Sequence, residues 1–492
     1  MKTLGLEMVD AGFEVAVGHA APAGGRMQSE RLVPPGTVPA VAVLEEGNLH
    51  VGADAEARRV LFPRQICDTF WDDLSRQPSN VRRGGRPLLS SELAYTFLQH
   101  IVDGLPGVAS EHESLVLALP PAFTESNERA EERVGLLLGI CGDLELRLGA
   151  IVDSACAALL DPDAAPPARG TAVVIDLGLH AGVLTLLDVD GTITRRAISR
   201  IPGAGWLALT DLARRMLAAR FLRQTSYDVA SDRRADQEFY SETLTALTAF
   251  TSQPEAWLRV TTAARGRAIS VPRDGLVTDL RPLAESITQG VVELLGRNGL
   301  AASNVQVYLT SRARHVCGLA TALRTRGALT VSVLSPGAAA RGAALLAVQR
   351  PPVKDLAEVP IESAIALPTS ANDAEVAMRS AFAFHRHAGK RDVAPTHVVA
   401  DGIGYPIKSS GLRISAGGNN HTSDVSLALA PSGVGTCDLL VEPAAGNWHI
   451  SASVGQKRLA LPGGDIPLAA GDVLEIHGTA GAVRVHFVRV QG

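Results

Sequence analysis

The segment from Ala172 to Gly205 restricts the fold of this chain more than any other segment. It consists of short apolar runs that end at acidic or glycine-containing turns. In order, its parts are Ala172 to Ile175, Asp176-Leu177-Gly178, Val183 to Asp188, Asp190-Gly191, Thr192 to Ile198 and Gly203-Ala204-Gly205. Such runs predict β-strands, and a glycine turn ahead of a helix can present backbone N–H groups to an anion. We therefore expect an α/β domain whose strand ends form one side of a phosphate-binding cleft.

The length and charge of the chain limit the number of domains and the partners that are expected. A chain of 492 residues exceeds what one hydrophobic core supports, so two or three domains are expected. A net charge of -5 gives no general attraction to nucleic acid or anionic lipid, and 4% aromatic residues do not favour base stacking. We therefore predict no nucleic-acid partner.

Targeting and redox signals predict a cytoplasmic protein. The five cysteines are scattered without a C-x-x-C pair, which favours reduced thiols over disulfides or structural zinc. The first residues lead directly into a strand pattern that carries Glu7 and Asp10, so no signal peptide is expected. No apolar run reaches about 18 residues, so no transmembrane segment is expected.

The order of these motifs resembles the ATPase domain of DnaK-type heat-shock chaperones, which belongs to the actin-like ATPase superfamily. The second phosphate loop of that family reads D-L-G-G-G-T and is followed by strands and a glycine pair. Here Asp176 and Gly178 match, Gly203 and Gly205 stand for the glycine pair, and His180 occupies a phosphate-loop position. The resemblance covers residues 1–349 and implies two ribonuclease-H-like lobes around a cleft for ATP and Mg²⁺.

In lobe I the resemblance places the first phosphate loop after Leu4 to Val9. Glu7 is then the candidate magnesium acid together with Asp176. Val9 replaces a family glycine, and Asp10 puts negative charge where phosphate oxygens lie in the family. At the hinge helix, Asp153 aligns with the family acid and begins an Ala-rich run, which we interpret as a small-residue helix packed between the lobes.

In lobe II the adenosine-side motifs are also altered. Thr310 and Ser311 replace the glycine pair of that loop, Arg314 aligns with the family arginine, and Gly337 begins the closing helix. At the phosphate loop, Leu179 stands where a glycine is needed for close backbone approach. Hydrolysis requires phosphates, metal and water to be positioned together. We therefore expect no cofactor, although ATP and Mg²⁺ would be required if the site were functional.

The C-terminal part reads as an all-β domain. Residues 350–394 predict an acidic, Pro-punctuated linker with a short helix from Asn372 to His387, and short alternating runs fill residues 395–492. The run from Leu468 to Ile476 reads L-x-x-G-D-x-L-x-I and resembles a forkhead-associated (FHA) domain. Arginine and histidine are missing from the expected phosphothreonine loops at Gly418 and at Ser432 to Gly435. We therefore predict protein binding by this β-sandwich and no phosphopeptide recognition.

The predicted architecture is thus α/β, a two-lobed actin-like ATPase fold followed by an all-β sandwich. Lobe I covers 1–165, lobe II with a helical subdomain covers 166–349, the linker covers 350–394 and the FHA-like domain covers 395–492. The predicted function is a chaperone-like pseudo-ATPase scaffold that binds other proteins. Two alternatives stay open: an active or weakly active DnaK-like chaperone, and an actin-like component of a filament or membrane-associated machine.

Overall fold

The structure is a computed structural model of the chain. It describes residues 2–19, 28–32, 38–105, 114–161, 163–164, 166, 169–262, 266–367, 382–385, 394–400, 403–416, 424–427, 437–444, 447–454, 457–459, 468–478 and 481–490. The protein is a mixed α/β chain that divides into two compact units, Met1–Leu367 and Pro368–Gly492. Within the described residues, no helix has both the length and the apolar character needed to cross a bilayer.

The strands of the first unit are β1 Lys2–Val9, β2 Gly12–His19, β3 Gln28–Leu32, β4 Ala42–Glu45, β5 Asn48–Val51, β6 Ile66–Cys67, β7 Pro78–Arg83, β8 Arg86–Leu89, β9 Ser114–Leu119, β10 Leu148–Asp153, β11 Arg169–Leu177, β12 Ala181–Asp190, β13 Thr192–Pro202, β14 Glu255–Val260, β15 Arg267–Pro272, β16 Val305–Leu309, β17 Thr330–Val333, β18 Ile361–Glu362 and β19 Ala364–Ala366. Its α-helices are α1 Ala53–Glu56, α2 Ser90–Asp103, α3 Pro121–Thr124, α4 Glu128–Asp143, α5 Ser154–Leu159, α6 Trp206–Thr225, α7 Arg233–Ala249, α8 Arg273–Arg297, α9 Leu319–Arg326 and α10 Ala338–Ala347.

Five strands of each six-stranded sheet in the first unit share one topology, and the sixth strand lies at opposite edges, with β18 beside β10 in sheet one and β19 beside β13 in sheet two. In sheet one, β1, β2 and β3 form an antiparallel meander, and β9 and β10 lie parallel to β1 on its other side. In sheet two, β11, β12 and β13 form the same meander, and β16 and β17 lie parallel to β11. Each sheet ends in a short strand, β18 or β19. The two halves of the unit are therefore built to the same plan.

A layer of small residues joins the two sheets. The buried side of α5 and α10 forms one apolar cluster with residues of both sheets. A Cβ atom at Gly342 of α10 would lie 1.8 Å from the carbonyl oxygen of Ala157 in α5, and one at Gly5 of β1 would lie 2.0 Å from that of Ala340. This helix layer, defined as α5 and α10, matches the predicted close packing of small residues between the lobes.

On the outer face of sheet two, α6, α7 and α8 surround a separate core with the β14–β15 hairpin. The sequence pattern predicts a helix from Trp206 to Arg223 and a hairpin of Trp257 to Thr262 with Ala268 to Pro272, and both are present. It also predicts a polar stretch from Ser226 to Gln237 before a helix at Glu238, which is wrong in its second half, because α7 begins at Arg233. The Asp232 side chain accepts a hydrogen bond from the Arg234 backbone N–H and caps that earlier start.

The predicted linker, 350–394, differs from the structure over its first part. Ile361–Glu362 pairs with β10 of sheet one, and Ala364–Ala366 pairs with β13 of sheet two. The Arg350 guanidinium holds this segment through Glu362, with Nε–Oε1 at 2.8 Å. Residues up to 367 therefore belong to the first unit. Of the predicted helix from Asn372 to His387, residues 382–385 form a strand, and the others lie outside the described residues.

The strands of the second unit are β20 Phe382–His385, β21 His397–Ala400, β22 Ile403–Pro406, β23 Leu412–Ala416, β24 Val425–Leu427, β25 Cys437–Ala444, β26 Asn447–Val454, β27 Lys457–Leu459, β28 Val473–Gly478 and β29 Gly481–Val488. They form two five-stranded sheets, ordered β20-β28-β29-β21-β22 and β24-β23-β25-β26-β27. Alternate residues of both sheets contribute to one apolar core. The predicted phosphothreonine loops, at Gly418 and at Ser432 to Gly435, lie outside the described residues.

Candidate functional site

The candidate site is the cleft at which the ends of β1, β11 and β16 meet. Asp10 follows β1, Asp176 lies near the end of β11, and Thr310 follows β16. The cavity in this cleft has a volume of about 40 Å³. A cavity of that size admits a few water molecules, whereas pockets for small organic ligands usually measure about 300–1,000 Å³. The cleft is therefore already filled by the protein's own side chains.

Arg312 is the side chain that fills the centre of the cleft. Its Nη2 donates to Oδ2 of Asp176 at 2.8 Å and its Nε donates to Oδ1 at 3.0 Å, so the pair is bidentate. The same guanidinium forms an ion pair with Glu7 and contacts the carbonyl oxygen of Gly12 at 3.4 Å. Glu7 and Gly12 belong to sheet one, and Asp176 belongs to sheet two. Arg312, which is 3% exposed, thus connects the two sheets.

The electrostatics of this cluster place a fixed cation among several buried acids. Glu14 lies directly opposite Glu7 in the β1–β2 register. Burial raises the pKa of Glu7 to about 7, with Arg312 lowering it and the charges of Glu14 and Asp176 raising it. Burial opposes the charge of Arg312, but Asp176 and Glu7 raise its pKa well above the ordinary value. We call Glu7, Glu14, Asp176 and Arg312 the cleft cluster.

The Asp10 side chain lies against the loop that follows β11, around Gly178. A Cβ atom at Gly178 would lie 2.9 Å from Oδ1 of Asp10, so the carboxylate lies against the loop backbone. The backbone N–H groups of Ala11 and Leu179 both donate to it. Burial, followed by the charge of Asp72, nevertheless raises the pKa of Asp10 to about 7. An internal carboxylate therefore binds where the resemblance implies a phosphate oxygen.

Apolar side chains close the same loops. Val9 is 2% exposed and Leu179 is fully buried, and both belong to one apolar cluster with Ala11, Val41 and Val43. The first-turn N–H groups of α6 are also bonded. Trp206 donates to the carbonyl oxygen of Gly178 at 2.8 Å, and Leu207 donates to that of Leu179 at 3.0 Å. The N-terminus of α6 therefore faces backbone carbonyls.

Asp153, the predicted hinge acid, is held by a second arginine. It is fully buried and caps α5 by accepting hydrogen bonds from the backbone N–H groups of Ala155 and Cys156. Its other oxygen accepts from Nη1 of Arg195 in β13 at 2.6 Å. Arg195 also donates to the carbonyl oxygen of Thr124 at 2.7 Å. This ion pair, like that of Arg312, joins the two halves of the unit.

His180 contacts lobe I rather than the cavity. Its Nε2 lies 3.1 Å from the carbonyl oxygen of Asp68 and 3.5 Å from the carboxylate of the same residue. The hydrogen bond to Asp68 raises the pKa of His180 to about 9. Although burial opposes it, the bonds from His180 and Arg59 lower the pKa of Asp68 to about 2. His180 thus acts as a cross-cleft ion-pair partner.

The other residues predicted for the site lie in turns, at a helix start or on the surface. Gly203 adopts φ +71° in the turn before α6, and a Cβ at Gly205 would lie 2.5 Å from the carbonyl oxygen of Leu179. Gly337 adopts φ +77° at the start of α10. Arg314 is exposed and donates to the carbonyl oxygen of Thr251 at 2.6 Å. Five predicted residues line the cavity, namely Glu7, Asp176, Gly178, Ser311 and Gly337, while Asp153, His180, Gly203, Gly205 and Arg314, which the structure also describes, lie outside its lining.

The sequence analysis missed Arg312 and Arg195. The alignment with the family arginine selected Arg314, which lies two residues beyond the buried one. The signal that points to Arg312 is charge balance. Two acids predicted in a buried cleft need a nearby cation, because burial of unpaired carboxylates is costly. Arg195 lies in a strand whose outward residues are mostly polar, so its partner could not be identified from spacing alone.

The residues present do not fit ATP and Mg²⁺. The guanidinium of Arg312 already binds both predicted magnesium acids, Glu7 and Asp176. Among the described residues, no three His, Cys, Asp or Glu side chains are grouped so that they could hold a metal ion. Comparison with known proteins found no matching family model and no matching curated protein.

Proposed function

We propose that this protein is a chaperone-like pseudo-ATPase scaffold that acts through protein–protein contacts. In this proposal the first unit is a two-lobed actin-like ATPase fold made of duplicated ribonuclease-H-like lobes, and the second unit is an FHA-like β-sandwich. The equal topology of the two sheets supports the first part. The shared core of the two C-terminal sheets supports the second part.

The observation that carries the proposal is the position of Arg312 between Glu7 and Asp176. A nucleotide-dependent site needs these acids for the metal, and here an arginine buried in the same cluster binds both. Asp10 adds a carboxylate at the loop that would meet a phosphate. Both substitutions place charge where the ligand needs the opposite charge, so binding and hydrolysis are opposed together.

Isothermal titration of the full chain with Mg-ATP tests the proposal. We expect no binding tighter than about 100 μM, which corresponds to about 5.5 kcal/mol. Parallel titrations with ADP and with ATP in EDTA extend the test to binding modes that do not use the metal. A DnaK-type chaperone titrated from the same nucleotide stock is the positive control. A dissociation constant in the low micromolar range would favour the active-chaperone alternative.

The second unit is the proposed partner-binding domain. In its described part, Arg413 of β23 is ion-paired with Asp438 of β25, and its backbone N–H donates to Asp424 at 3.0 Å. Nη2 of this arginine is paired with the protein's own carboxylate. The missing arginine and histidine of the expected phosphothreonine loops support binding of unmodified protein over phosphopeptides. Titration with a phosphothreonine peptide and its unphosphorylated form tests this: equal or absent binding is expected, and a selective response to the phosphate contradicts it.

A further inference from the structure

Arg312 lines the cavity and contacts both halves of the first unit. Its contacts to Glu7 and to the carbonyl oxygen of Gly12 lie on sheet one, and its bidentate contact to Asp176 lies on sheet two. A guanidinium suits this place because its planar fork can bind two carboxylates at once.

The charge of the cluster makes the cation necessary for closure. Without Arg312, Glu7 and Asp176 would face each other across the two sheets, and Glu14 would lie beside Glu7 on the neighbouring strand. A buried carboxylate that loses its cation can lower its energy by taking up a proton or by moving towards water. Burial already raises the pKa of Glu7 to about 7, so the two sheets are expected to move apart at a pH above that value, where Glu7 keeps its charge.

Two other pairs between the halves, at the rim of the cavity, are more exposed. Arg200 and Asp72 form a pair at 3.0 Å, with side chains 44% and 23% exposed. His180 in its pair with Asp68 is 38% exposed. Exposed pairs contribute little because water screens them. The buried pairs between the halves include those of Arg312 and of Arg195 with Asp153, and of these only Arg312 lines the cavity.

We propose that Arg312 is a built-in cation that holds the two sheets closed around the cleft, in the place of a bound ligand. The first unit would then keep one closed arrangement that does not depend on nucleotide. This inference rests on the proposed function, because a protein that cycles with ATP would need to release the same contact. In this proposal the conformation of the first unit is constant, and the affinity for partners does not depend on nucleotide.

Distance measurements between spin labels test the inference in the full chain. Labels at Arg83→Cys, on the β7–β8 ribbon of lobe I, and at Gln253→Cys, beside β14 of lobe II, occupy exposed positions. Cys67, Cys141, Cys156 and Cys317 are buried, and Cys437 is replaced by Ser. We expect a single narrow distance distribution that is unchanged by Mg-ATP, with an open form below about 10%.

Arg312→Met is expected to make a longer distance the majority form. Arg314→Met is the matched control, because Arg314 lies two residues away in the same turn and is exposed. It should leave the distribution unchanged. An Arg312→Met distribution equal to that of the unsubstituted chain would overturn the inference.

A second variant covers the case in which Arg312→Met does not fold. Arg312→Ala leaves a space that free guanidinium can enter, so about 10 mM guanidinium chloride should raise its melting temperature by a few degrees relative to equal sodium chloride. The unsubstituted chain and Arg314→Ala should show no such rise. If Arg312→Met does not fold, absence of this rise in Arg312→Ala overturns the inference.

The outcomes for the inference about Arg312 and for the proposed function are distinct. If Mg-ATP binds the unsubstituted chain or changes its label distance, the proposed function fails. If the chain does not respond to Mg-ATP and Arg312→Met keeps the label distance of the unsubstituted chain, or does not fold while Arg312→Ala shows no guanidinium rescue, only the inference about Arg312 fails.

Discussion

The two parts of the interface between sheet one and sheet two use opposite chemistry. In the helix layer, α5 and α10 bring backbone against backbone through Gly and Ala, so that a Cβ atom at Gly342 has no space. At the cleft, charged side chains from both sheets surround Arg312. The first part depends on shape and the second on charge balance.

In the proposed pseudo-ATPase, this difference would explain how the fold is kept while the nucleotide site is lost. Close backbone packing permits few substitutions, because any larger side chain meets atoms that cannot move independently. A cluster of buried acids only needs a compensating cation, and an arginine supplies one without a ligand. The helix layer therefore preserves the architecture, whereas the cleft can lose its ligand and stay closed.

The largest expected effect comes from the helix layer. Gly342→Ala would place a Cβ 1.8 Å from the carbonyl oxygen of Ala157, and both atoms belong to rigid helices. We expect a loss of at least about 4 kcal/mol in the free energy of unfolding, or failure to fold. Urea unfolding of the purified full chain measures it.

Gly139→Ala is the matched control for this substitution. Gly139 lies in α4 and is exposed, and a Cβ atom at this position would have no neighbouring heavy atom within 4 Å. The same change should stabilise the chain there by up to about 1 kcal/mol, because alanine loses less backbone entropy in a helix. Equal effects at Gly139 and Gly342 would contradict the role given to the helix layer.

The buried ion pair at the hinge gives the next largest effect. Arg195→Met leaves Asp153 fully buried without its cation, which should cost about 3–5 kcal/mol. Arg196→Met is the control, since Arg196 is 38% exposed and its pair with Asp188 spans 3.6 Å, so less than about 1 kcal/mol is expected. Thermal unfolding of both variants distinguishes the two sites, and a small loss for Arg195→Met would show that the hinge charge is compensated otherwise.

Patterns of apolar runs and small residues were sufficient to predict much of the helix layer and the strand framework. The Ala-rich run after Asp153 and the run after Gly337 could be read as closely packed helices because only small residues allow such contact. Val9 and Leu179 were also identified as obstacles to a phosphate. The structure places both in one buried cluster, and their role as obstacles to a phosphate stays a prediction.

The charge partners could not be predicted in the same way. Arg312 and Glu7 are 305 positions apart, and no local spacing rule connects them. The short strands at Ile361 and Ala364 are not predicted for a related reason, since each depends on pairing with a strand that is distant in sequence. Tertiary pairing, rather than local propensity, determined both outcomes.

The smallest expected effect is a pH dependence at the rim of the cleft. The pKa of His180 is raised to about 9 from 6.5 by Asp68, so its contribution to stability is complete below about pH 6.5 and is lost as the pH rises through about 9. Because His180 is 38% exposed, screening limits this contribution to about 1 kcal/mol.

His180→Gln should therefore lower the free energy of unfolding at pH 6 and have almost no effect at pH 10, as measured in urea. In an Asp68→Asn background the substitution should lose most of its pH dependence, since the carboxylate that contributes most to the raised pKa is gone, while the backbone carbonyl of that residue and the charge of Asp10 still raise the pKa. If His180→Gln lowers the free energy of unfolding equally at both pH values, His180 stabilises the rim by packing. Ion pairs would then stabilise only the buried part of the cleft.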